Sequence, residues 1–244
     1  MRNRLKKIFI YLFLYIILSF SYSAFKGYLF YKSIFRLSYE EIHTSLEKTP
    51  TQCKKFKDCK LLPGDIFVRR YVTNFTDVVD VMFNPYFLHS AIYLGNDEMF
   101  EVWGSREPLE NQIVISKLSK SDWLNNDMTN FVIFRPKNYY GKLDKIISEF
   151  KNIANDPDYV YGTYNEKNKK ASCADVILKK LEGDGILTKS QNEPRIITPD
   201  YLFWAIKNDG SNFDVIGYNI RPREVRDAGL IDMLEQITHD KNVI

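Results

Sequence analysis

The sequence has little of several residue types and patterns that mark specialised proteins. Its 244 residues include only three cysteines, three histidines, 11 glycines and 9 prolines, and they contain no internal repeat or low-complexity tract. Together with 45% hydrophobic and 27% charged residues, these shortages exclude a disordered, collagen-like or coiled-coil chain. The length is sufficient for one large or two small domains with a substantial core.

Excess positive charge is also lacking once the N-terminus is set aside. Residues 1–23 contain Arg2, Arg4, Lys6 and Lys7 and no acid, and the rest of the chain has 30 basic and 31 acidic residues. The net charge of this remainder is therefore −1. A body so close to neutral gives no electrostatic reason to expect a nucleic-acid partner.

The N-terminal segment has the pattern of an export signal. Four cations precede the apolar run at 8–20, and the small residues Ser21 and Ser23 predict cleavage before Ala24. If the apolar run is extended to 8–25, it has the 18 residues needed for an uncleaved membrane anchor. A buried helix of the fold is a third interpretation, and it would need protein on every side. Under either of the first two, we expect the flanking positive charges to stay in the cytoplasm and everything after residue 26 to be exported, to the periplasmic or extracellular side of the membrane.

Two of the three cysteines lie close together. Cys53 and Cys59 enclose a short polar segment ahead of the first predicted strand, and export predicts a disulfide between them. Closing so short a loop would contribute about 2 kcal/mol. A zinc site is the alternative, although the spacing is unusual and no second pair follows.

Cys173 has no partner, so it is either inert and buried or kept free for chemistry.

The remaining chain, 27–244, is predicted to be one domain because no Pro-, Gly- or Ser-rich linker divides it. β-rich runs come first and amphipathic helices mainly follow, an order that indicates an α+β fold. Strands are predicted at 66–72, 89–95, 98–103, 112–116 and 131–135, and helices at 36–49, around 143–153, at 172–183, from Thr198 and near Arg223.

Cys173 is predicted to lie in the first turn of a helix. Ser172 is the predicted N-cap, Asp175 the acid of a capping box, and Gly183 the C-cap. At this position the unpaired backbone N–H groups and the positive end of the helix dipole favour thiolate over thiol. The same N–H groups can receive a developing oxyanion. The alternative is a buried structural cysteine, and the segment alone leaves both open.

A thiolate nucleophile needs an imidazole beside it, and the sequence offers three. His43 falls in a charged helix and His239 in a polar tail, so both are predicted to be surface residues. His89 begins a predicted strand, and Glu101 follows twelve residues later across a predicted hairpin turn. If the two share a face, the carboxylate accepts one imidazole N–H and leaves the other nitrogen for the thiol. The alternative is a half-buried histidine beside an incidental glutamate.

The strand region resembles a family of hydrolases. LLPGDIFV and HSAIYLGNDEMFEVWG are similar to the strand core of NlpC-type cysteine hydrolases, papain-fold enzymes of the bacterial envelope. In most of that superfamily the cysteine helix precedes these strands, whereas SCADVI follows them here. This order resembles the circularly permuted branch, the YiiX/YebB-like and lecithin retinol acyltransferase-like proteins. The resemblance covers roughly residues 61–205. It implies a permuted papain-like fold, with an antiparallel sheet packed against helices that include the cysteine-bearing one.

The resemblance also implies roles for individual residues. Cys173 would be the nucleophile, His89 the general base and Glu101 the residue that orients the imidazole. Tyr159, in PDYVYG, resembles a tyrosine found upstream of the cysteine in the permuted branch. Tyr159 is therefore expected to line the cleft or help hold an oxyanion, and a core tyrosine is the alternative. Trp103 is an aromatic residue near the site, and it is also expected to bind substrate. No metal or organic cofactor is implied.

A few positions depart from the family pattern or are expected to have other roles. Ala91 replaces the usual glycine, and Ala174-Asp175 stands where Ser-Glu is frequent. Asp65 of the PGD turn is expected to cap a tight turn. The aromatic residues Tyr86 and Phe87 are expected near the site.

These observations predict an exported or membrane-tethered cysteine hydrolase that transfers an acyl group from an amide or ester. The expected partners are a cell-wall peptide or a lipid-type substrate, and a membrane through the N-terminal segment if it is not cleaved. A non-catalytic envelope binding module that keeps the cleft is one alternative, and a lipid-ester hydrolase or acyltransferase is another. A structural membrane-anchored protein is a further interpretation that rests on the N-terminal segment alone.

Overall fold

The computed structural model describes residues 2–70, 85–103, 112–125, 130–137 and 140–222. The chain divides into two compact units, Met1–Ile34 and Phe35–Ile244. The first unit consists of helix α1 (Arg2–Ser33), which continues past the predicted boundary at residue 26. Among the residues described, no helix combines the length and the hydropathy of a candidate membrane span. Export and anchoring stay predictions from the sequence.

The second unit contains short helices and a sheet in the order that the sequence indicates. Its helices are α2 (Tyr39–Leu46), α3 (Asp122–Asn125), α4 (Tyr140–Asn155), α5 (Cys173–Gly183) and α6 (Pro199–Asn208). Its strands are β1 (Ile66–Arg69), β2 (His89–Gly95), β3 (Glu98–Val102), β4 (Ile113–Lys117), β5 (Phe131–Pro136), β6 (Val160–Tyr161), β7 (Lys170–Ala171) and β8 (Phe213–Asn219). Short 3₁₀ turns lie at Phe56–Asp58 and Leu118–Lys120.

Six strands form one antiparallel sheet in the order β4-β3-β2-β1-β5-β8, and β6 and β7 form a separate parallel pair. The β2–β3 hairpin turns at Asn96 and Asp97, whose φ angles of 51° and 65° suit the two-residue turn that the sequence predicts. The antiparallel sheet packed against helices confirms the α+β class.

The two faces of the sheet bury different clusters, because alternate residues of a strand point to opposite faces. On one face, Ile66 and Val68 of β1 join a large aliphatic core that also includes residues of α2, α4, α5 and α6. On the other face, Phe67 joins a smaller cluster that contains Phe56 and Trp123. Helix α5 packs against β2, and its first residue, Cys173, lies beside His89, the first residue of β2.

Helix boundaries follow the local capping chemistry. Ser38 and Glu41 form a capping box that begins α2 three residues later than predicted. Thr198 caps α6 as predicted, since its hydroxyl accepts the N–H of Tyr201 and proline takes the first helical position.

The predicted helix near Arg223 lies outside the described residues, as do residues 71 and 72 of the first predicted strand. Strand β8 was not predicted.

The capping predicted for α5 is partly wrong. Ser172 occupies the N-cap position, but its side chain makes no capping bond. Asp175 instead accepts the backbone N–H of Tyr164 at 2.6 Å, which ties the 155–171 loop to the helix. Gly183 is the last helical residue and Asp184 is the C-cap. The carboxylate of Asp175 binds the loop and does not form the capping box, because the N–H of Tyr164 is partly buried and needs an acceptor.

The predicted disulfide is present. Cys53 and Cys59 are bonded, with their Cα atoms 5.2 Å apart, which settles the alternative of a zinc pair. Cys53 also forms a parallel bridge with Gly217 of β8. A side chain at Gly217 would collide with the sulfur of Cys53, so only glycine fits at this crossing.

Candidate active site

Cys173 lies at the start of α5, half-buried, and its thiol interacts with the ring of His89. Burial alone would raise the pKa of the thiol. The hydrogen bond and the charge of His89 outweigh burial, with a smaller contribution from Ser90 in the same direction, so the pKa of Cys173 is lowered. The structure thus brings the two reactive groups together and favours the thiolate.

His89 is the first residue of β2, and its ring is almost fully buried. Nε2 lies 3.1 Å from Oε1 of Glu101, which leaves Nδ1 as the nitrogen for the thiol. Burial opposes the imidazolium, but the hydrogen bonds to Cys173 and Glu101 and their charges together raise the pKa of His89. The pKa is lowered for the sulfur and raised for the ring, and both shifts are in the direction that favours a thiolate–imidazolium pair.

Glu101 is a buried carboxylate that three donors hold in place. Besides the imidazole, Ser116 donates its hydroxyl to Oε2 and Trp123 donates Nε1–H to Oε1 at 2.8 Å. Burial would raise the pKa of this carboxyl, but the three hydrogen bonds and the charge of His89 lower it to about 2. Glu101 is therefore ionised throughout the pH range in which a cysteine hydrolase would work.

The register of the hairpin differs from the side-by-side pairing expected for His89 and Glu101. Glu101 pairs with Ala91, and a register shift lies between Tyr93 and Gly95. His89 and Glu101 share a face because they are diagonal neighbours, two residues apart in register. When the register is continued, Trp103 comes opposite His89, and the two rings stack with centroids 4.3 Å apart and planes 27° apart.

Sequence reasoning missed Ser116 and Trp123. Ser116 lies on β4, and Trp123 lies on α3, a four-residue helix. A buried indole needs an acceptor for its N–H, but nothing in the sequence indicates which acceptor it has. The indole N–H of Trp123 reaches Glu101 only because α3 packs on the face of the sheet that contains Phe67.

Tyr159 has contacts typical of a core tyrosine, the alternative that the sequence left open. It lies half-buried against the aliphatic core, and burial and the negative charge of Glu166 raise the pKa of its phenol. None of its described contacts joins it to Cys173 or His89.

Another tyrosine lies beside the strand that precedes α5. Tyr161 pairs with Ala171, two residues before Cys173. Its backbone N–H lies 3.4 Å from Oε1 of Gln112, whose carbonyl accepts the N–H of Trp103. Trp103 and Tyr161 thus lie on either side of a buried glutamine beside the candidate site. The role of Tyr159 in substrate binding stays a prediction.

Tyr86 and Phe87 are not available to a substrate, because both are fully buried. Their backbone N–H groups donate to the carboxylate of Asp200, at 2.8 and 2.6 Å. His43 is exposed, as predicted, and His239 lies outside the described residues.

Asp65 has the structural role predicted for it. Its carboxylate accepts the backbone N–H of Leu62 at 2.8 Å and two bonds from the guanidinium of Arg135 at 2.7 Å. These bonds hold the PGD turn against β5.

Within the described part of the chain, no group of three or more His, Cys, Asp or Glu side chains is placed to hold a metal ion. No model of a known protein family matches this sequence. No curated protein matches it either.

We expect Glu101→Gln to reduce kcat/KM about a hundred-fold, and His89→Ala to reduce it about a thousand-fold or more. Glutamine keeps an oxygen for the imidazole and for Trp123, and its amide can donate to the hydroxyl of Ser116. The ring then stays oriented, but the charge that stabilises the imidazolium is lost. Steady-state hydrolysis of an activated ester by the two folded variants provides the comparison. Equal losses would contradict a role for Glu101 limited to orientation and charge.

Proposed function

We propose that this protein is an exported cysteine hydrolase of the permuted papain-like type that transfers an acyl group from an amide or ester of the cell envelope. The observation that carries the proposal is the continuous contact from the thiol of Cys173 through the ring of His89 to the carboxylate of Glu101. Three residue types with complementary roles, distant in sequence, interact with one another, and the pKa values of Cys173 and His89 are shifted in the directions that favour this chemistry.

In the proposed reaction, the thiolate of Cys173 attacks the carbonyl carbon and forms a tetrahedral intermediate. In this proposal, backbone N–H groups in the first turn of α5 stabilise its oxyanion. The imidazolium of His89 gives its proton to the leaving nitrogen or oxygen as that bond breaks, which leaves a thioester. Water then attacks the thioester, His89 takes a proton from the water, and release of the carboxylic acid restores the thiolate.

The location proposed for this activity is the bacterial envelope. The basic and apolar N-terminal segment supports export, and the Cys53–Cys59 disulfide is compatible with an oxidising compartment. A cell-wall peptide amide is therefore the first substrate class to test.

The thiolate itself can be tested by alkylation with iodoacetamide. We expect Cys173 to react at pH 5.5 at a rate within about three-fold of its rate at pH 7.5, whereas an ordinary thiol slows about a hundred-fold over this interval. Glu101 stays ionised at pH 5.5 because its pKa is about 2. Cys53 and Cys59 should be labelled only after reduction.

The control for this experiment is the His89→Ala variant, which removes the imidazolium and should restore the pH dependence of a free thiol. Slow labelling of the unsubstituted protein at pH 5.5 would contradict the proposed ion pair. If the thiol is reactive but mass spectrometry detects no acyl-enzyme after incubation with envelope extract, the non-catalytic binding module becomes the better proposal.

A lipid-type ester is a second candidate substrate, and exposed apolar side chains near the site favour it. Val160 and Tyr161 of β6 are 40% and 47% exposed. Tyr161 lies one strand spacing, about 4.8 Å, from its partner Ala171, and Ala171 is two Cα steps from Cys173. The Cα atoms of Tyr161 and Cys173 are therefore within about 12 Å of each other. Apolar groups kept in solvent beside a nucleophile are suited to contact an acyl chain.

If an acyl chain binds there, kcat/KM should be at least about ten-fold higher for p-nitrophenyl octanoate than for the acetate. Tyr161→Ser should remove most of this preference. Leu62→Ser is the matched control, since Leu62 is 50% exposed and lies in the turn that Asp65 holds. An unchanged preference in Tyr161→Ser would leave the peptide amide as the favoured substrate.

A further inference from the structure

Arg69 is a buried cation beside the candidate triad that the proposed reaction does not use. It is the last residue of β1 and pairs directly with His89 of β2. Its side chain is almost fully buried. Burial of a guanidinium is costly, so an arginine in such a place is retained where its planar group makes specific contacts.

The guanidinium lies between two indole rings. Its central carbon Cζ lies 4.0 Å from the ring centroid of Trp123 and 5.7 Å from that of Trp103. Both distances are within the range of cation–π interactions, and the shorter one is a close stacking contact. Such contacts are stronger where water is excluded, as it is around Trp123.

Each of the two indoles contacts a different member of the candidate triad. Trp123 donates its N–H to Glu101, and Trp103 stacks on His89. Arg69 therefore contacts both side chains that fix the carboxylate and the imidazole. Arg135 differs from it, because the guanidinium of Arg135 binds Asp65 and the carbonyl of Lys60, which are not part of the site.

We propose that Arg69 is a positioning residue, which acts through Trp103 and Trp123 to hold His89 and Glu101 in the geometry that keeps Cys173 reactive. This inference rests on the proposed function and adds to it a residue outside the triad. Among the described residues at this place, Arg69, His89, Glu101 and Cys173 have charged or titratable groups. Lysine at position 69 would keep the positive charge but not the flat surface that contacts two indoles.

The test compares Arg69→Lys and Arg69→Met with the unsubstituted protein. We expect both variants to lower kcat about ten-fold, the effect of losing desolvated cation–π contacts, with KM changed less than two-fold. We also expect the midpoint of the pH profile of iodoacetamide labelling of Cys173 to move to higher pH in both. Arg135→Lys is the matched control. It removes contacts of a partly buried arginine away from the site, so it should lower the Tm and leave the labelling profile unchanged.

Wild-type kcat and an unchanged labelling profile in folded Arg69→Lys would overturn the proposal, because the flat guanidinium would then be dispensable. If Arg69→Met does not fold, Arg69→Lys alone decides the question. The labelling profile does not depend on turnover. If the unsubstituted protein hydrolyses nothing, the proposed function fails, and the profile of Arg69→Lys still decides the role of Arg69.

Discussion

Replacing Cys173 with alanine is expected to lower kcat/KM by about 10⁴-fold or more, because no other described group at the site can form the acyl intermediate. The fold should survive, since alanine removes only a half-buried sulfur. His89 would keep its bond to Glu101, so the change leaves no isolated charge in the core. Ester hydrolysis and thermal unfolding, measured on the same preparation, check both expectations.

Cys173→Ser is the matched variant for this prediction. Serine keeps the shape and the hydrogen bond to His89, but a hydroxyl does not ionise beside imidazole as a thiol does. Its activity should therefore be almost as low as that of the alanine variant. Substantial hydrolysis by Cys173→Ala would exclude Cys173 as the nucleophile.

Replacing Asp200 with alanine is expected to lower the free energy of unfolding by about 4 kcal/mol. The carboxylate of Asp200 is fully buried at the start of α6 and accepts the backbone N–H groups of Leu37, Tyr86 and Phe87 at 2.6–3.0 Å. Alanine would leave these three buried donors without their acceptor. Chemical denaturation followed by tryptophan fluorescence measures the change.

Asp214→Ala is the control for this variant, because Asp214 is exposed and forms a surface ion pair with Lys137. Its effect should be no more than about 1 kcal/mol. Asp200 also holds the residues just before His89, so a folded Asp200→Ala should lose activity as well as stability. Similar stability losses in the two variants would show that the buried carboxylate is not a main anchor of the fold.

Local signals in the sequence were sufficient for most of the secondary structure. Strand β2 begins and ends at the predicted residues, and the two-residue hairpin turn at Asn96-Asp97 is as predicted. The N-cap and proline that begin α6 were also predicted correctly. These features depend on residues within one turn of each other, so their chemistry can be read without the fold.

Strand β8 was missed because its main interactions are distant in sequence. It pairs with β5, whose residues lie about eighty positions earlier, and the segment around Cys53 covers part of its outer edge. Its sequence, FDVIGYN, contains a glycine and an aspartate, which weaken a local strand signal. Gly217 is needed where Cys53 crosses the strand, and a contact between residues so far apart in the chain leaves no local pattern in the sequence.

The sequence by itself was sufficient to propose the three groups that react, because helix capping, strand alternation and turn residues act over a few neighbours. It predicted Cys173 at a helix start, His89 at a strand start and Glu101 on the next strand. Only the tertiary structure decided how these groups are held, and that Trp103, Trp123 and Arg69 surround them. The reason is physical: the packing of one side chain against another depends on strand register and helix crossing, and these are fixed by the whole core.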